Sequence, residues 1–147
     1  MIDVNIIYED EDFLVLDKPS GMIVNKADTT KNEITLQDFL EKRHKYVQDS
    51  SDFSKRAGIV HRIDKETSGL LIVAKNLKSF ENLQAQFKER KVEKTYIALV
   101  HGHVSFDEGE ISVPIGRLPW NRKRFGVMVG GKEAQTFYKT IERFNKP

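Results

Sequence analysis

Residues 60–75 read Val-His-Arg-Ile-Asp-Lys-Glu-Thr-Ser-Gly-Leu-Leu-Ile-Val-Ala-Lys. They place a carboxylate at Asp64, cations at Arg62 and Lys65, and hydroxyls at Thr67 and Ser68 between two aliphatic runs. Both flanks, Ile59-Val60 and Leu70 to Ala74, are short enough to be buried strands, which makes the polar block a loop between them. A loop anchored at both ends holds a side chain in a fixed place, as a carboxylate nucleophile requires. Asp64 is the candidate. The alternative is a turn cap, with Asp64 accepting bonds from the amides or hydroxyls of Thr67 and Ser68, and with Arg62 paired to Glu66 or a phosphate. The residues alone leave both readings open.

A second cluster with chemical potential lies downstream. Arg117, Arg122, Lys123 and Arg124 surround Trp120, and this mixture of cations and a ring suits an RNA surface, where phosphates are neutralised and a base is stacked. A hairpin turn full of solvated charge has the same composition. His101 and His103 alternate on one predicted strand with no third ligand near them, so no metal is assigned. The chain has no cysteine, which excludes a thiolate nucleophile, a thiolate metal site and a disulfide framework.

The elements that must position these residues follow from periodicity. Ile6 to Tyr8 and Phe13 to Leu16 read as two strands joined by the acidic turn Glu9 to Asp12, and Pro19 with Gly21 ends the second. Thr35 with Asp38 marks the start of an amphipathic helix reaching about Val47. Gln48 to Arg56 reads as a polar mobile loop. Asn76 caps a helix whose Leu77, Phe80, Leu83, Gln84 and Phe87 recur at helical spacing, ending near Arg90. Lys94 to Val100 alternates like a strand, and Ile111 to Val113, Phe125 to Val129 and Ala134 to Ile141 continue as a meander. The fold class expected is α+β, a mixed but mainly antiparallel sheet flanked by helices.

At 147 residues, with 39% hydrophobic and 31% charged residues, the chain suits one soluble domain spanning residues 1–147. No run approaches a membrane span, and the N-terminus lacks a secretion signal's plan, so a cytoplasmic location is expected. Residues 1–53 carry 6 Lys/Arg against 12 Asp/Glu, whereas the remainder carries 18 against 10. That asymmetry fits a C-terminal surface meeting polyphosphate, or simply solvated faces.

The block around Asp64 closely resembles the His-Arg-Leu-Asp signature of the RluA family of rRNA and tRNA pseudouridine synthases, with Ile63 as a mild replacement. Ile6 to Asp10 and Leu16 to Met22 resemble the family's opening motif, Phe87 to Val100 its next, and Lys132-Glu133-Ala134 with Thr136 a later one, all in the family's order. The resemblance implies the pseudouridine synthase catalytic fold and the isomerisation of uridine in structured RNA. The N1–C1′ bond breaks and C5 joins C1′, with no cofactor and no metal. It implies Asp64 as nucleophile, Tyr96 as the active-site tyrosine that stacks on the uracil, and Arg62 as the side chain entering RNA where the base is flipped out. Asp64 alone would also permit a nucleoside hydrolase, but Glu66 is too near in sequence to serve as the second carboxylate.

The sequence also departs from the family. The Thr-Gly-Arg-Thr-His-Gln-Ile-Arg-like motif, whose arginine pairs with the aspartate, has no counterpart here, and no S4-type RNA-binding domain precedes the motifs. The chain stops at Pro147 just after a predicted strand, so it is expected to be a C-terminally truncated catalytic domain. A carboxylate in an apolar cleft without its cation tends to take up a proton, so the chain alone is expected to be weak or inactive, an RNA-binding fragment. It is expected to be monomeric.

Overall fold

The computed structural model describes residues 4–28, 32–44 and 51–144, without the side chains of Arg122 and Lys123. Two compact units divide the chain, residues 1–95 and 96–147.

In the first unit, β1 (Asn5–Glu9), β2 (Phe13–Lys18) and β3 (Gly69–Ala74) form a sheet in the order β1-β2-β3, antiparallel throughout. The register of β2 on β3 runs from Phe13 opposite Ala74 to Lys18 opposite Gly69. Side chains alternate across a strand, so Leu14, Leu16 and Lys18 share a face with Leu71 and Val73, and all five are buried. Val4, Met22, Val24, Leu36, Leu40, Ala57, Ile59 and Ile63 complete the core cluster. Each fully buried leucine there contributes about 1.5–3 kcal/mol of transfer free energy.

Helix α1 (Leu36–Arg43) starts where the sequence expects it. The Thr35 hydroxyl accepts from the Asp38 amide, and the Asp38 carboxylate accepts from the Thr35 amide and hydroxyl, a complete capping box. Its predicted extension to Val47 lies outside the described residues past His44, where the helix is already capped. Residues 51–56, expected to be loop, instead hold a one-turn helix, α2 (Asp52–Lys55), capped by Ser51. The polar composition hid one anchor, because Phe53 packs edge-on against the buried Phe80 at 5.6 Å.

Ile59-Val60, expected to be a strand, reduces to a single antiparallel bridge of Ile59 with Val73. Its neighbour explains the close approach: Gly58 has φ +76°, and a Cβ there would lie 2.0 Å from the Ala74 carbonyl oxygen. Only glycine fits. Helix α3 (Leu77–Lys88) is capped by Asn76, which accepts from the Ser79 amide, as the sequence predicts.

The second unit holds β4 (Glu108–Leu118), β5 (Asn121–Val127) and β6 (Lys132–Lys139), antiparallel in the order β5-β4-β6. Pro114 lies inside β4, which is possible because the ladder to β5 begins one residue later, at Ile115. The α+β class therefore stands, with two three-stranded sheets and only antiparallel pairing among the described residues. Lys94 to Val100 is not a strand: residues 91–100 have no regular structure, and Ile97 and Leu99 are 87% and 86% exposed. Alternation there lacks a pairing partner among the described residues, and period-2 patterning forms a strand only where a neighbour supplies the hydrogen bonds.

Candidate active site

The loop from His61 to Ser68 leaves the core at the buried Ile63 and returns at Gly69, the first residue of β3. Its tip is a turn closed by the Thr67 amide donating to the Asp64 carbonyl oxygen at 3.2 Å. The turn is thus made by the backbone of Asp64, and the carboxylate does not cap it. Asp64 is exposed, and its side chain makes no hydrogen bond or ion pair with the described residues. Arg62 is likewise exposed, without the pairing to Glu66 that the sequence allowed. Among the described residues of its own unit, no apolar wall encloses the exposed Asp64 side chain.

The loop is held from the opposite side by the segment that follows β2. Lys18 is fully buried, and its ammonium uses all three donors, on the carbonyls of Pro19 at 2.9 Å, Met22 at 2.9 Å and Lys65 at 3.0 Å. The Gly21 amide donates to the same Lys65 carbonyl at 2.8 Å, and the Ser20 hydroxyl to the Glu66 carbonyl at 2.7 Å. Gly21 has φ +84°, the left-handed conformation its turn requires. Burial pushes the Lys18 ammonium below its ordinary pKa, against the opposing fields of Glu66 and Asp64. At the rim, Lys65 pairs with Glu33 at 2.6 Å, an exposed contact that raises the Lys65 pKa.

Sequence patterning makes Gly21 the end of the second strand but gives Lys18 and Ser20 no part in holding the Asp64 loop, although both lie in the opening motif. The available signal was the alternation Leu14, Leu16, Lys18, which puts a lysine on the buried face of β2 and demands partners for it.

At the other flank, the His61 ring stacks on Phe87 with centroids 4.5 Å apart, and its Nε2 accepts from the Ile72 amide at 3.0 Å. Burial, helped by the nearby Lys94 cation, drives the His61 pKa down to about 4, so the imidazole is neutral at pH 7.

Tyr96 opens the second unit and is 58% exposed. Asp64 and Tyr96 therefore belong to different units. Arg117 on β4 lies over the Phe125 ring, 4.7 Å from its centroid, across the β4–β5 ladder. Trp120, in the turn, and Arg124, on β5, are exposed, whereas the Arg122 and Lys123 side chains lie outside the described residues. No group of three or more His, Cys, Asp or Glu suited to a metal occurs among the described residues.

A profile of the RNA pseudouridylate synthases matches residues 12–147, which includes the whole Asp64 loop and the β2 segment that clamps it. The chain belongs to this family. Among proteins similar to this member of the RNA pseudouridylate synthases is an uncharacterized RNA pseudouridine synthase of Aquifex aeolicus, 44% identical over 147 residues. That match covers 99% of this chain and 45% of the relative. Ribosomal large subunit pseudouridine synthase D of Pseudomonas aeruginosa is 41% identical over 143 residues, covering 97% of this chain and 43% of the relative. In structure the chain resembles human RNA pseudouridylate synthase domain containing 1, with a TM-score of 0.66 and 26% identity, over 92% of this chain and 50% of that one. The chain thus spans about half the length of the pseudouridine synthases it matches.

Proposed function

We propose that the protein isomerises uridine to pseudouridine in RNA with Asp64 as its nucleophile. The observation that carries this reading is the uncommitted Asp64 carboxylate on a loop whose backbone is clamped at Lys65 and Glu66. A reactive group must be fixed in place yet free of structural bonds, and this arrangement supplies both. In the reaction the N1–C1′ bond of the nucleotide breaks, the uracil turns over, C5 joins C1′, the C5 proton is lost to solvent and N1 regains one. The step is an isomerisation, balanced without any redox partner.

Tyr96 stacks on the uracil and serves proton transfer, and Arg62 fills the gap left by the flipped nucleotide. The exposure of both side chains is compatible with these roles. Arg117, Arg122, Lys123 and Arg124 contact phosphates from the β4–β5 hairpin. Ribosomal RNA is the substrate class favoured by relatives named as large-subunit synthases, with tRNA the wider alternative. The protein acts in the cytoplasm as a monomer. Uridine chemistry with an aspartate needs no metal or cofactor.

Tritium release from RNA labelled at uridine C5 is the direct test. Release that disappears in Asp64→Ala while RNA binding persists supports the isomerase. One observation favours a second reading for the chain alone: it spans about half its relatives' length. RNA binding without release by this chain, and release by a version extended to the relatives' length, supports an RNA-binding fragment.

A further inference from the structure

An antiparallel ladder gives each inward-facing amide a carbonyl on the neighbouring strand. The segment entering the Asp64 loop starts such a ladder with β3: the Ala74 amide donates to the Gly58 carbonyl at 2.9 Å, and Ile59 bridges Val73. Two residues along β3 the pattern changes, because the Ile72 amide donates to a side chain, the Nε2 of His61. The imidazole can accept there only if neutral, with its proton on Nδ1. Its face is fixed by Phe87 of α3, stacked at an interplanar angle of 20°. The ring is thus held by a strand and a helix at once, three residues before Asp64.

We infer that His61 is a positioning residue of the Asp64 loop: its neutral ring replaces a backbone carbonyl at the end of the β3 ladder and so fixes where pairing stops and the loop departs. The inference rests on the proposed role of Asp64 for its catalytic meaning, but its geometric content stands apart from it. The charged group facing the ring is Lys94, from the segment after α3, and Phe87 presents only an apolar face. Burial and the Lys94 cation disfavour a protonated ring, which could no longer accept from Ile72.

Two substitutions separate the acceptor from the ring. Gln places an oxygen as many bonds from Cβ as Nε2 stands, so His61→Gln keeps an acceptor, whereas His61→Phe keeps the stack and removes it. Amide exchange in this chain is read at Ile72 and at Thr67, whose amide closes the loop turn onto Asp64. In His61→Phe both amides are expected to exchange about tenfold faster, with protection restored in His61→Gln. In the extended enzyme, kcat for tritium release is expected to fall by about tenfold in His61→Phe with KM unchanged, and to recover in His61→Gln.

Unchanged protection at Ile72 in His61→Phe overturns the assignment. Faster exchange at Ile72 with Thr67 unaffected overturns the link to the loop. Loss of protection at both amides with wild-type kcat removes positioning for catalysis. If the wild-type enzyme releases no tritium, the isomerase reading fails, while the exchange experiment still decides the role of His61.

Discussion

At the scale of single residues, the most exacting position is Lys18. A lysine without exposed surface is tolerated because three carbonyls take its three donors, and one of them belongs to the loop carrying Asp64. Lys18→Met keeps the bulk and removes the donors, leaving those carbonyls underused. Stability is expected to fall by about 1–3 kcal/mol, read from the urea midpoint at unchanged slope. His61 carries a pH dependence whose sign is fixed by its depressed pKa. Above the ordinary value of 6.5 the ring is neutral whether the chain is folded or not; as pH falls from there toward about 4, only the unfolded chain takes up the proton. The stability associated with the neutral ring is therefore expected to decline steadily through that window and level off below it. Unfolding of wild type and His61→Phe compared from pH 7 to 4 checks this: the two are expected to converge as pH falls.

At the scale of elements, α1 depends on its cap and the loop on Gly58. Burial works to raise the Asp38 pKa, but the bonds from the Thr35 amide and hydroxyl, together with the Lys26 ammonium, outweigh it and hold the carboxyl at about 2. This contribution is present above the ordinary 3.8 and is lost as pH falls toward 2. Thr35→Ala is expected to cost about 1 kcal/mol in chemical denaturation. Gly58→Ala should cost roughly 3 kcal/mol or more, because its Cβ would meet the Ala74 carbonyl and its φ is positive. A midpoint within error of wild type would show that the bridge to β3 relaxes without penalty.

The sequence was most legible at this scale where a pattern carried its own chemistry. The Thr35–Asp38 box and the Asn76 cap mark their helices because those side chains satisfy amides that nothing else reaches. Alternation failed at Lys94 to Val100, since a strand needs a partner that local sequence does not specify. The short α2 was hidden because its stability comes from Phe53 meeting Phe80, which is distant in sequence. The candidate site was legible as a loop with Asp64 at its centre. What the sequence left open was whether the carboxylate or the carbonyl of Asp64 closes the turn, which depends on backbone geometry that residue types do not fix.

At the scale of the whole molecule, one face of the second unit's sheet is mainly apolar, with Ile111, Val113, Ile115, Phe125 and Val127 beside Arg117, Lys132 and Thr136, by the registers of β4 with β5 and β6. Phe125 and Val127 are 61% and 64% exposed, although a three-stranded sheet ordinarily needs something packed on its apolar side. This chain is expected to bind an apolar dye in its folded state, and a version extended to the relatives' length to bind less; equal fluorescence from both would show that the face stays open. The irregular residues 91–100 are expected to be cut first by trypsin, at Lys91 or Lys94, which mass spectrometry of the early fragments would reveal.

The Lys65 carbonyl, which accepts from both the Lys18 ammonium and the Gly21 amide, has a spectroscopic consequence. Two donors, one of them charged, draw electron density toward the oxygen and soften the C=O bond. A 13C label on that carbonyl should absorb in the infrared at a lower frequency than a singly bonded amide and move upward in Lys18→Met. The assembly of the Asp64 loop could then be followed in time by vibration, without substrate and without turnover.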